Sequence, residues 1–135
     1  MGARSKYRKR ALDVLFESEL RDTGLGGTLA GRRETNDPPI SEYTVTLVEG
    51  VVAEQEAIDA LIVENARGWS LQRMPGVDRN LLRIAVYEIL HVDDVPDAVA
   101  VSEAVALAKE LSTDDSGSFV NGVLGRILQL RTSSS

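Results

Sequence analysis

A chain of 135 residues with a net charge of -6, no cysteine and one histidine has the length of a single domain, burying roughly two-thirds of its unfolded surface. Those counts exclude disulfides, cysteine nucleophiles and the common zinc patterns, and they fit a reducing, cytoplasmic setting. No run approaches the roughly 20 apolar residues of a membrane-spanning helix.

The first predicted helix begins in a basic segment. Arg4, Lys6, Arg8, Lys9 and Arg10 fall within ten residues that hold no acid, so the ten other basic residues face twenty-one acidic ones. Ala11, Leu12, Leu15, Phe16 and Leu20 then repeat at helical spacing and predict a core-facing stripe that ends before Thr23-Gly24. Cations in the first turn oppose the helix dipole by about 0.3 to 1 kcal/mol each. Two readings fit them: a solvated tail, or an edge that receives an anion. An acidic body confines any nucleic-acid contact to such a small patch.

Thr23 to Pro39, with Gly24, Gly26, Gly27, Gly31 and the run Asn36-Asp37-Pro38-Pro39, reads as a loop with one short helix about Thr28 to Arg33. No strand precedes its glycines and no Gly-Lys-Ser or Gly-Lys-Thr follows, so it is no nucleotide loop. Ser41 caps a helix whose stripe, Val45, Leu47, Val48, Val51, Val52, Ile58, Leu61 and Ile62, predicts one element running to about Asn65. Arg67-Gly68-Trp69 breaks it, and Trp69, Leu71 and Met74 read as an apolar plug, with Trp69 in the core or at a hinge. The next helix spans about Val77 to His91, with Asp78 in its first turn where an acid suits the dipole. Val95-Pro96 marks a boundary before a helix carrying Val99, Val101, Val105, Leu107, Ala108 and Leu111. The last helix starts near Ser116 and buries Phe119, Val120, Val123, Leu124, Ile127 and Leu128. Gly122 and Gly125 within it each cost about 1 kcal/mol relative to Ala, which predicts the close approach of another backbone.

A catalytic reading needs a nucleophile with its base, or a metal, and neither is present. Asp93-Asp94 and Asp114-Asp115 are adjacent pairs beside helix starts, where neighbouring side chains diverge and carboxylates are expected on dipole grounds. His91 has no histidine partner. The chain is therefore read as non-enzymatic, with no cofactor and no metal.

Four blocks carry a family resemblance: Arg-Ser-Lys-Tyr-Arg-Lys-Arg-Ala-Leu at Arg4 to Leu12, Val-Asp-Arg-Asn-Leu-Leu-Arg-Ile-Ala-Val-Tyr-Glu-Ile-Leu at Val77 to Leu90, Asp-Val-Pro-Asp-Ala-Val-Ala-Val-Ser-Glu-Ala-Val at Asp94 to Val105, and Ala-Lys-Glu-Leu-Ser-Thr-Asp-Asp-Ser-Gly-Ser-Phe-Val-Asn-Gly-Val-Leu at Ala108 to Leu124. Together they resemble the NusB family of transcription antitermination factors, in family order over most of the chain. The resemblance implies an all-α fold, one compact helical bundle over residues 1–135 made of two small helical subdomains, about 4–66 and about 77–130. It implies a factor that binds the boxA element of nascent ribosomal RNA leaders, as single-stranded RNA, together with NusE, a small-subunit ribosomal protein, within an antitermination complex on RNA polymerase. In the family the last helix packs beside the first, so Asp115 and Phe119 would border the RNA near Arg4, Lys6 and Arg8. Positions matching Phe16 and Asp78 lie in the surface that meets NusE. Two departures stand out: Tyr7 replaces a usually small residue, and Gly117-Ser118 lacks a basic residue that some relatives place before the phenylalanine. The rival readings are a helical protein-binding adaptor without direct RNA binding, and a partner of an RNA methyltransferase, whose cofactor fold would have to be another chain because none follows Leu128. A homodimer through the RNA and NusE surface is compatible with the sequence.

Overall fold

The computed structural model describes residues 3–21, 24, 27–29 and 40–134. Among them are six α-helices and no strand: α1 (Ala3–Arg21), α2 (Glu42–Ala53), α3 (Gln55–Asn65), α4 (Gly76–His91), α5 (Asp97–Leu111) and α6 (Asp114–Ser134), with a 3-10 turn at Leu71–Arg73. No helix among these residues is long and apolar enough to cross a membrane. The short helix expected about Thr28 to Arg33 lies, after Leu29, outside the described residues.

The bundle is built around α4, which packs against every other helix. Its apolar residues are spread round the helix, and Leu81, Leu82, Ile84, Ala85 and Val86 are all buried. A helix apolar on most sides is stable only when surrounded, and each fully buried leucine contributes about 1.5 to 3 kcal/mol. α1 lies against α2 and α4; α6 lies along α5 and touches α3 and α4.

The stripe of α1 differs from its prediction at both ends. Leu20 is 71% exposed, while Arg8 and Ser18 take buried places beside Ala11, Leu12, Val14 and Leu15. Leu20 is one turn beyond Phe16, on the flank of the helix rather than on its core face. Ser18 is buried at no cost in unmade bonds, because its hydroxyl donates to Val14 O at 2.8 Å and accepts from Thr28 N at 3.1 Å.

The single helix predicted from Ser41 to Asn65 is two. Ser41 caps it as expected, accepting from Thr44 N at 3.1 Å. Glu54 then leaves helical geometry at φ -107° and ψ 17°, and its N–H still reaches Gly50 O. The bend redirects the apolar stripe: Val45, Leu47, Val48 and Val51 in α2 face α1 and α4, whereas Ile58 and Ile62 in α3 face α4 and α6. A straight helix could not serve both sets of neighbours. After α3 the chain turns through two left-handed residues, Arg67 at φ 50° and Gly68 at φ 91°, and only the second suits that conformation without strain.

α6 starts two residues earlier than predicted. Thr113, not a later residue, is the cap, and its hydroxyl accepts from Ser116 N at 3.0 Å. The close backbone expected at Gly122 and Gly125 is absent. A side chain at Gly122 would meet the Arg126 guanidinium at 3.4 Å, which reaches over to cap α3 by donating to Asn65 O at 2.8 Å. At Gly125 nothing lies within 4 Å. Gly125→Ala therefore gains helix propensity without a clash and raises folding stability by about 0.5 to 1 kcal/mol in denaturant titration. A decrease would mean that the groove beside it closes in solution.

Candidate nucleic-acid interface

The basic end of α1 lies on acidic neighbours. Arg4 pairs with Asp94 through both guanidinium nitrogens, at 3.2 and 3.1 Å, and its guanidinium carbon stands 4.3 Å from the centre of the Tyr43 ring. The Arg4 hydrogen bond holds the Asp94 carboxyl below its ordinary range. Arg8 is 4% exposed. Its Nε donates to both Glu88 oxygens at 3.0 and 2.9 Å, and its Nη1 donates to Glu103 at 3.1 Å. The Tyr43 hydroxyl also donates to Glu88. Burial first, and then that hydrogen bond, push the Tyr43 phenol well above its ordinary value. Lys9 pairs with Glu110 at 3.4 Å. Lys6 is exposed and makes no ion pair among the described residues. Of the three cations predicted to meet phosphate, Lys6 is open, Arg4 is half held, and Arg8 serves as the buried tie between α1, α4 and α5.

A second cluster lies at the start of α6. Asp114 and Asp115 occupy its exposed first turn and Ser116 is buried behind them. A cleft of about 400 Å³ opens there between Trp69, Met74, Asp78, Asp115 and Phe119. Trp69 and Phe119 meet edge to face, ring centres 6.1 Å apart and planes at 61°. Trp69 is 51% exposed and follows the left-handed pair Arg67-Gly68, so of its two expected places the fold does not give it the core. It is a wall of the cleft. Asp78 is 2% exposed, and its Oδ1 has no hydrogen-bond partner. Burial raises its carboxyl above the ordinary range against the opposing pull of a Ser116 hydrogen bond. Phe16 sits on the opposite side of the same helix start, its ring against Gly76, where an added Cβ would stand 2.4 Å from Cε1.

The two clusters are not joined as expected. α6 packs along α5 rather than α1, and Asp115 and Phe119 make no hydrogen bond or ion pair with Arg4, Lys6 or Arg8. α5 bridges them instead. Glu103 and Glu110 reach α1 from it, while the Lys109 stem crosses Gly117 of α6, where an added Cβ would meet Lys109 Cγ at 2.7 Å. Lys109 thus puts a cation beside the turn that lacks its own basic residue. Sequence reasoning missed Lys109 and Trp69. Gly117 was the signal for the first, since a bare position in a first turn leaves room for a neighbouring stem. For Trp69 the signal was the left-handed pair before it, which swings the chain outward.

This arrangement offers cations for phosphates and aromatic faces for bases, the two components of single-strand recognition. The profile of the NusB family matches residues 5–129. The chain is 57% identical over 133 residues to the transcription antitermination protein NusB of Pseudarthrobacter chlorophenolicus, covering 98% of each. It is 61% identical over 129 residues to the protein of that name from Saccharopolyspora erythraea, covering 94% of this chain and 87% of that one. A crystal structure of the antitermination factors NusB and NusE in complex with dsRNA contains a chain of the same fold, with a TM-score of 0.81 at 29% identity over 94% of this chain and 96% of that one.

Proposed function

Because the chain belongs to the NusB family of transcription antitermination factors, we propose that it binds single-stranded boxA-type RNA of ribosomal RNA leaders jointly with NusE, as a non-catalytic part of an antitermination assembly on RNA polymerase. The observation that carries this reading is an aromatic cleft, Trp69 with Phe119, in a bundle that also presents Lys109 beside the first turn of α6 and an open Lys6 at the start of α1. Duplex RNA hides its base faces, whereas a single strand presents them to such a cleft. NusE meets the flank of α1 at Phe16 and the exposed Leu20, beside the start of α4. With a net charge of -6 and most α1 cations already paired, the protein alone holds RNA weakly, and the partner supplies the rest.

The test is titration of a labelled boxA-type RNA at several salt concentrations, with and without NusE, against a scrambled strand. NusE tightens the boxA complex and leaves the scrambled one weak. Removing a cation that neutralises one phosphate of a single strand lowers the salt slope by about 0.7. Lys6→Ala shows that full decrease, and Arg4→Ala shows less, because Asp94 already neutralises Arg4. If boxA and scrambled RNA bind equally with NusE present, the RNA role fails. The adaptor reading, favoured by the internal pairing of Arg4, Arg8 and Lys9, then replaces it.

A further inference from the structure

The cations at the start of α1 are held in two ways. Arg8 is locked: its side chain is 4% exposed and that of its acceptor Glu88 is 1% exposed, so breaking the pair strands a buried charge. Arg4 is not locked. Its side chain is 41% exposed and that of its acceptor Asp94 is 70% exposed, and a pair so open to water contributes little to folding. The geometry of the Arg4–Asp94 contact gives it another role.

Asp94 engages Arg4 through Nη1 and Nη2, one carboxylate oxygen to each. Two parallel N–H donors of this kind are what a phosphate takes when a guanidinium binds it bidentately. Other groups hold the arginine in place. Its guanidinium carbon lies 4.3 Å from the centre of the Tyr43 ring, and the Tyr43 hydroxyl is tied to the buried Glu88. Arg4 therefore keeps its seat on that ring when Asp94 lets go. Asp94 is fixed from its own side. It lies in the turn between α4 and α5, which is closed by Val95 N donating to Val92 O at 3.2 Å and anchored by the buried Val95 side chain.

We propose that Asp94 is a built-in competitor of RNA: its carboxylate occupies the place on Arg4 that a backbone phosphate takes, and it weakens the hold of α1 on any polyanion. This rests on the RNA-binding reading above and adds to it what limits the affinity. A phosphate contact carries no sequence information. The competition therefore costs affinity for every strand alike, and leaves discrimination between strands to the groups that meet bases and to the protein partner.

Asp94→Asn keeps the shape of the side chain and removes its charge. With NusE present, this variant binds a labelled boxA-type strand and a scrambled strand each about two- to fivefold more tightly than the wild type, the range of an exposed ion pair. Asp93→Asn removes the same charge from the exposed neighbouring residue and gains less. The difference between the two variants vanishes in an Arg4→Ala background and persists in a Lys6→Ala background. In the Asp94→Asn chain, Arg4→Ala lowers the salt slope by the full value of about 0.7 for one single-strand phosphate. Equal gains from Asp93→Asn and Asp94→Asn, or a gain that survives Arg4→Ala, overturn the proposal in favour of general charge repulsion and leave RNA binding intact. Weaker RNA binding by Asp94→Asn also overturns it, and makes Asp94 a residue that orients Arg4 for RNA. If the wild type and both asparagine variants hold neither strand in the presence of NusE, the proposal and the RNA-binding reading fall together.

Discussion

Glu88→Ala loses about 3 to 5 kcal/mol of folding stability, the cost of breaking a buried ion pair by removing one partner. The carboxylate is 1% exposed, and it joins three helices by accepting from Arg8 of α1 and from Tyr43 of α2. Without it the Arg8 guanidinium stays buried with Glu103 alone, and the Tyr43 hydroxyl loses its acceptor. Denaturant unfolding followed by circular dichroism measures the change. Replacing both partners, as Arg8→Met with Glu88→Leu, recovers most of the stability, because well-packed apolar residues replace a buried pair with little penalty. A cost under about 1 kcal/mol for Glu88→Ala, within the range of an exposed pair, would show that water reaches this network.

Phe119→Ala weakens the RNA complex by about 1 to 3 kcal/mol, the contribution of one stacked base. Phe119 is partly exposed and packs on the rim of the core, so its removal leaves the fold standing, which thermal unfolding checks independently. Stacking and charge pairing separate in a salt titration. Phe119→Ala shifts the affinity at every salt concentration by the same factor, since every phosphate keeps its cation. Lys6→Ala changes the slope. An affinity untouched by Phe119→Ala removes the aromatic cleft from the RNA site.

The kind of the helices and most of their boundaries could be read from the sequence because apolar periodicity, Ser41, Pro75 and Pro96 mark them locally. The bend at Glu54 could not. Val51 and Ile58 fit one continuous stripe, and only the positions of α1 and α6 decide that the two halves face different neighbours. The inward place of Arg8, 4% exposed, was legible. Arg8 shares a face with Ala11, Leu12 and Leu15 at spacings of three, four and seven, so the helix geometry assigned it inward. The family resemblance, not the periodicity, placed it among the residues expected to meet RNA. The cleft was half legible: Asp115 and Phe119 stand in a recognisable block, but Trp69 and Asp78 reach them only through the turn after α3 and the packing of α4 beneath α6. The distance between that block and the basic helix depends on α5, and a sequence pattern carries no information about which helix lies between two others.

The first turn of α4 has a further consequence. On one side its Gly76 accommodates the Phe16 ring; two residues on, Asp78 lines the cleft under α6. In the proposed assembly, a protein pressing on Phe16 and an RNA entering that cleft would act on the same few backbone atoms. A displacement of that turn by either ligand would be felt by the other and would couple their free energies of binding. The coupling is reciprocal: the factor by which the protein partner tightens RNA equals the factor by which RNA tightens the partner. A helix start shared by two ligands would make this small bundle a thermodynamic joint between them, with no need for either ligand to touch the other.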